Sequence, residues 1–292
     1  MRRSLLSFGI GFRASALLLA FCAVFGLSSP AQAAMIVWAS AISDPAGADA
    51  GFVSLLEGAG HTVSRFTVAG ALTPENVATL NAADLVIVGR AVNSGDFDNA
   101  NGRIWNEQIS TKLLAMSAYT TRKNRMAWST GDLVPDSGAT PLVAVDPTHP
   151  IFAGVTFQGD GVTMANNYNT MIARGTTTIG SPLVAGGTVL ARNPAVTGGI
   201  AIAEWAPGTV VLDDQAGALP QTLAGPRFFF AGGNREADGS AVTTAGIMDL
   251  TPDGQVLFLN TVGYALTVPE PSTITLAGLG CAFLLRRSRR GR

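Results

Sequence analysis

Between residues 34 and 267 this chain has no cysteine. The only two, Cys22 and Cys281, lie in apolar segments near the two ends. The central region therefore has no disulfide, no thiolate nucleophile and no cysteine-ligated metal. Histidine is nearly as scarce, with only His61 and His149. Basic side chains are few there as well. Setting aside the three arginines before residue 34 and the five after Pro271 leaves, between Ala34 and Pro271, 11 basic residues against 20 acidic, a net of −9. That balance disfavours nucleic acid and anionic surfaces as partners. No Gly-x-Gly-x-x-Gly follows the first expected strand, so no nucleotide-phosphate cradle is read there. No cofactor is expected, and no internal repeat is visible. Long hydrophobic runs are missing too: the two longest, Ala14–Leu27 and Ile274–Leu285, have fourteen and twelve residues, where a membrane-spanning helix needs about 20.

The two ends carry targeting information. Arg2, Arg3 and Arg13 precede the apolar run Ala14–Leu27, and Ala31-Gln32-Ala33 supplies the small residues of a cleavage site. Residues 1–33 read as a signal peptide removed by signal peptidase before Ala34. Bulky Phe21 before Cys22 argues against lipidation. At the other end stand Val268, Pro269, Glu270 and Pro271, then Ile274–Leu285, then a cluster that includes Arg286 and Arg287. As a helix, twelve residues at ~1.5 Å each span only about 18 Å, short of the roughly 30 Å hydrocarbon core. The arginines fit the positive-inside pattern. A short C-terminal transmembrane helix that anchors the protein in the membrane, at least transiently, is the expectation.

In that order, residues 268–292 resemble the PEP-CTERM sorting signal of exported bacterial proteins. The resemblance implies export across the inner membrane of a Gram-negative-type bacterium and processing by exosortase, a membrane transpeptidase. It also implies delivery to the cell surface or to an exopolysaccharide-rich extracellular matrix.

Residues 34–267 are enough for one large α/β domain. Met35–Ser40 is an apolar run of strand type, and Phe52, Leu55 and Leu56 recur at helical spacing until Gly58 and Gly60. His61–Phe66 reads as a second strand and Leu85–Val88 as a third. Between them Thr73-Pro74-Glu75 starts a helix. A helix near Ile104–Ser110, a strand at Leu113–Met116 and a fifth strand at Met126–Trp128 follow. Beyond His149 the texture turns to glycine and threonine, with β-like runs at 188–191, 200–204, 210–212 and 227–231. A last helix begins at Thr251-Pro252-Asp253. Short apolar strands alternating with helices imply a mostly parallel sheet covered on both faces, with β-rich additions in the second half.

Four stretches carry a second resemblance: Gly60–Val63 (GHTV), Asn81–Arg90 (NAADLVIVGR), His149–Val155 (HPIFAGV) and Gly254–Leu266 (GQVLFLNTVGYAL). Together they resemble a ThuA-like, class I glutamine-amidotransferase-like domain, which implies a flavodoxin-like three-layer fold. In that family a cysteine occupies the turn after a strand. Here the corresponding turn, Met116-Ser117-Ala118-Tyr119, has none, which excludes glutaminase chemistry.

Ligands of open α/β sheets bind at the carboxyl ends of the strands. Those ends present Asp44, Arg90, Ser94, Tyr119 and Arg122, a set suited to a sugar or small carboxylate. Alternatively, the two arginines pair with Asp44, Asp96 or Asp98 to hold the loops. Ser117 with His149 as base would make a serine hydrolase, although no Gly-x-Ser-x-Gly surrounds it. Asp96, Asp98 and Glu107 invite a calcium reading, but Ala100 falls where a ligand is needed and Gly102 falls one position past the loop's required glycine, so a solvated loop is the better expectation. Trp38, Trp105, Trp128 and Trp205 are of the type that stacks on sugars, yet Trp38 and Trp128 sit in expected strands and read as core. The functional expectation is a non-catalytic envelope or matrix protein that binds extracellular polysaccharide. A secreted hydrolase using Ser117 and His149 is the alternative.

Overall fold

Strand β1 (Met35–Ser40) is the axis of the parallel half of the molecule. It pairs in parallel with β2 (Thr62–Thr67) on one side and with β3 (Leu85–Val88) on the other. The computed structural model describes residues 33–171, 174–233 and 246–269. Helix α1 (Ala50–Gly58) links β1 to β2, and α2 (Pro74–Asn81) links β2 to β3. Helix α3 (Asn99–Glu107) leads into β4 (Leu113–Ala115). The second half adds the short strands β5 (Asp136–Ser137), β6 (Val143–Ala144) and β7 (Thr176–Thr177), then β8 (Gly187–Arg192) and β9 (Ile200–Trp205). It continues with β10 (Val210–Val211), β11 (Gln221–Thr222) and β12 (Arg227–Phe230), and α4 (Pro252–Thr267) closes the fold.

The eight-stranded sheet has the order β2-β1-β3-β4-β12-β9-β8-β6. Its first five strands are mutually parallel, and β9, β8 and β6 are added antiparallel beyond β12. The mixed, largely parallel sheet and three α/β layers match the expected class. The order does correct one strand. The fifth parallel strand is β12, not Met126–Trp128. The amides of residues 126, 127 and 128 donate back to the carbonyls of Thr120, Arg122 and Thr121, and Ala127 has φ 55°, a left-handed conformation incompatible with a strand. That segment is a buried turn.

Local chemistry explains the helix starts. Thr73 and Asn76 form a reciprocal capping box at α2, with Pro74 in the first turn. Thr251 Oγ1 accepts the Gly254 amide at the start of α4. Asp49 occupies the cap position of α1 but makes no cap bond. Its carboxylate instead accepts Trp38 Nε1 at 2.8 Å and Arg65 Nη1 at 2.7 Å, fastening α1 to β1 and β2. α3 begins five residues earlier than its apolar spacing suggests.

A ladder of rings then fixes one helix layer. Trp38 stacks on Phe52 at 5.3 Å, Phe52 meets Phe258 at 5.8 Å and Phe258 meets Phe230 at 5.5 Å. Each such pair contributes about 0.5–1.5 kcal/mol beyond its buried area. The ladder sets α1 and α4 on the same face, and right-handed crossovers place α2 and α3 on the other. All four tryptophans are buried to within 1 %, so none offers a sugar a stacking surface.

Candidate functional site

Arg90 follows β3 at the carboxyl end of the sheet, where the sequence suggests a ligand-binding arm. It is 1 % exposed. Its Nε donates to Gly233 O at 2.7 Å, Nη1 donates to Ile247 O, and the Asp249 carboxylate lies 3.7 Å away. Asp249 Oδ2 in turn accepts the Gly233 amide at 2.9 Å. Two glycines make the approach possible. A Cβ on Gly232 would stand 2.9 Å from Arg90 Cγ, and one on Gly233 would stand 2.9 Å from both Asp249 Oδ2 and Met171 Sδ. Beside this cluster Tyr168 is buried and donates to Ala231 O at 2.9 Å. Burial, then the nearby Asp249 charge, holds its phenol protonated well above the usual range. Arg90 thus ties β3 and the end of β12 to the strand-like segment before α4. Its partner is Asp249, not Asp44, Asp96 or Asp98. Arg90→Ala is expected to cost about 3–5 kcal/mol by stranding a buried carboxylate, measured by denaturant unfolding. An exposed ligand arm would leave stability within about 0.5 kcal/mol.

The other expected residues are placed as follows. Ser117 is buried at the end of β4, and its carbonyl accepts the amide and hydroxyl of Thr120 to form a tight turn. His149 caps the turn Pro150–Phe152, its Nδ1 accepting the Ile151 amide at 3.4 Å. The His149 ring packs edge-on against Tyr264 of α4 at 4.7 Å, and Tyr264 packs on Phe228 at 6.0 Å. Burial, with a smaller effect from Glu204, pushes the Tyr264 phenol up to about 12. Phe228 is in register with Leu114, so Ser117 lies three residues, roughly 10 Å, farther along the sheet. The contacts of His149 are with Ile151 and Tyr264, and none among the described residues joins it to Ser117.

Tyr119 and Arg122 do come together, with the guanidinium 5.2 Å over the ring and its Nε donating to Tyr119 O at 3.2 Å. Partial burial, then the charge of Arg125, lowers the Arg122 pKa. Asp44 closes its own turn by accepting the Ala46 amide at 2.9 Å. Ser94 starts the separate turn Ser94–Phe97 after β3. Asp96 accepts the Gly70 amide, and Asp98 sits at the start of α3 without a side-chain cap bond. Glu107, at the far end of α3, pairs with Arg103. These three carboxylates face different neighbours, and among the described residues no group of three metal-ligating side chains converges.

Sequence reasoning passed over a different feature. A cleft of about 540 Å³ opens at the start of α4, lined by Ala139, Asn166, Asn167, Asn169, Thr170 and the first helical turn. The available signal was three asparagines in four positions, Asn166-Asn167-Tyr168-Asn169. Such a run reads as ordinary loop until Thr251, Pro252 and Asp253 are set opposite it.

Where α4 ends, the chain changes character. Thr267 Oγ1 closes the last turn on Tyr264 O at 2.7 Å, and exposed Pro269 follows the cap residue Val268. Residues 267–290 match the family model described as the PEP-CTERM protein-sorting motif. The chain carries a C-terminal sorting motif. Comparison with curated proteins finds no match.

The PEP-CTERM motif supports export and sorting toward the surface or the extracellular space, but the expected membrane anchor is corrected. Among the described residues no helix is long and apolar enough to cross a membrane. The expected transmembrane helix, and with it the membrane as a partner and the membrane-anchored location, is therefore not found among the described residues. Its physical basis was already thin, since twelve residues cover about 18 Å of a roughly 30 Å core. The expected helix at 274–285, the arginines beyond it and residues 1–32 of the expected signal peptide lie outside the described residues.

Proposed function

We propose that this is an exported protein, sorted through its C-terminal PEP-CTERM motif, whose central domain acts outside the cell as a non-catalytic, carbohydrate-binding module. In this reading signal peptidase removes residues 1–33, residues 34–267 form the functional domain, and exosortase acts on residues 268–292. The observation that carries it is the family match at 267–290, which begins at the last residue of the domain's last helix. The parallel order β2-β1-β3-β4-β12 supports kinship with amidotransferase-like domains, and the absence of cysteine from residues 34–267 supports a lineage without glutaminase chemistry. The separate local roles of Ser117, in the turn with Thr120, and His149, capping Pro150–Phe152, support the non-catalytic half.

Treatment of the full-length protein with a fluorophosphonate serine probe tests that half directly. The expected result is no adduct at Ser117, with polysaccharide retention unchanged in Ser117→Ala. A Ser117 adduct that disappears in the variant would establish the hydrolase instead.

A further inference from the structure

We infer that the cleft at the start of α4 is a binding site for a neutral, polyhydroxylated ligand, a saccharide segment without charged substituents. This deepens the carbohydrate-binding reading and rests on it. The cleft's volume, about 540 Å³, falls within the range of roughly 300–1,000 Å³ usual for small-ligand sites. It also stands at the carboxyl edge of the sheet, where such folds place their ligands, because α4 runs back from that edge against Phe230.

Its chemistry narrows the ligand. The start of a sixteen-residue helix ordinarily attracts anions, but this one is already answered. Thr251 Oγ1 accepts the Gly254 amide at 3.2 Å, and the Asp253 carboxylate stands in the first turn. Among the described residues no lysine or arginine lines the cleft. An anionic ligand would meet a carboxylate with no compensating cation, in a region whose net charge is −9. What the walls offer is carboxamides and hydroxyls, which both donate and accept, as a sugar ring with adjacent hydroxyls requires.

An independent observation points to a missing partner. Asn169 belongs to the cleft wall and is 1 % exposed, yet its Oδ1 is buried without a hydrogen-bond partner among the described residues. Its Nδ2 is committed to Thr176 Oγ1 at 2.7 Å, which leaves the oxygen as the unpaired end, reached by a ligand when the Asn169 side chain turns toward the cleft. A buried carbonyl oxygen left unpaired costs about 1–3 kcal/mol, and a ligand hydroxyl would recover that cost. The remaining walls are held in place beforehand. Asn166 Nδ2 donates to Asp253 Oδ2 at 2.8 Å, Thr251 Oγ1 donates to Asn167 O at 2.7 Å, and the Thr170 amide donates to Asp249 O at 2.8 Å. Such preorganisation lowers the ordering cost of binding.

The test is saturation-transfer NMR on the full-length protein with cellotetraose, mannotetraose and chitotetraose, beside an anionic oligogalacturonate and calcium chloride alone. The variants are Thr170→Trp, which plugs the cleft from an exposed position, and Asn166→Ala. Saturable binding of at least one neutral tetrasaccharide, weakened about tenfold or more in both variants while the fold stays native, is expected. Neutral binding that both variants leave unchanged overturns the cleft and spares the carbohydrate-binding reading. Response to oligogalacturonate or calcium alone overturns the neutral-ligand assignment. Binding of no saccharide at all overturns the cleft and the broader reading together.

Discussion

Arg227→Met is expected to destabilise the domain by about 4 kcal/mol or more, a large share of the roughly 5–15 kcal/mol that holds a typical protein folded. Arg227 opens β12 and has no exposed surface. Its Nη1 donates to the carbonyls of Thr111 and Pro226, and its Nη2 to those of Trp105, Asn106 and Ile109. Trp105 and Asn106 end α3, where unpaired carbonyls concentrate partial negative charge. The guanidinium caps that end and binds the loop from α3 into β4, so three elements share one side chain. Burial lowers its pKa to about 9, so it remains charged at neutral pH. Methionine fills much of the space but strands carbonyls that water cannot reach, each at about 1–3 kcal/mol.

The lysine variant separates charge from geometry. Arg227→Lys keeps the positive charge but has three donors on one nitrogen and cannot span two groups of carbonyls. It is expected to recover part of the loss, leaving a deficit of about 2–3 kcal/mol. Between pH 5 and 8 both the folded chain, with its pKa of about 9, and the unfolded chain hold the proton. The loss in the methionine variant should therefore be flat across that range. Guanidinium chloride unfolding checks both points. A methionine variant as stable as the parent would mean that the carbonyls find other partners and that the cap is dispensable.

Arg227 also shows why part of this fold was legible in sequence and part was not. β1, α1, β2, α2 and β3 are neighbours in space because they are neighbours in the chain. Apolar runs and turn residues such as Thr73-Pro74 mark them directly. β12 reaches the centre of the sheet more than a hundred residues after its partner β4, and no local periodicity records that pairing. The three residues Met126–Trp128 looked strand-like for the same reason they are buried: they are apolar. Trp128 packs on Trp205 and donates to Asn106, but the amides of all three are spent on turn bonds, which leaves no donor for a ladder.

The candidate sites suffered from the same blindness to distance. Arg90 sits after a strand in a position typical of a ligand arm, and its true partners lie 143 and 157 residues away. Local spacing could show that an arginine was there, not that Gly232 and Gly233 would admit its side chain to the interior. The asparagine run at 166–169 is the converse case. It was polar and unremarked because a cleft exists only once α4 is laid beside it.

Ending the chain after Val268 is expected to abolish C-terminal processing and surface delivery in an exosortase-bearing host while leaving the domain folded. The structural half follows from how α4 finishes. Val268 N–H caps the helix on the carbonyls of Tyr264 and Ala265, and Pro269 cannot continue it. Pro269 itself is exposed, and the ring and aliphatic packing of α4 is complete before it. Stability should stay within about 0.5 kcal/mol. The functional half follows from the match at 267–290, which begins at the last residue of α4. Replacing Pro269, Glu270 and Pro271 together by alanine should reproduce the defect without shortening the chain. Intact-mass analysis of the protein recovered from the cell surface and the medium reads both effects. The parent should arrive shortened at its C-terminus, and neither variant should arrive in quantity. Equal delivery of all three, with unshortened termini, would show that export proceeds without the motif and would leave the domain's location unexplained by its tail.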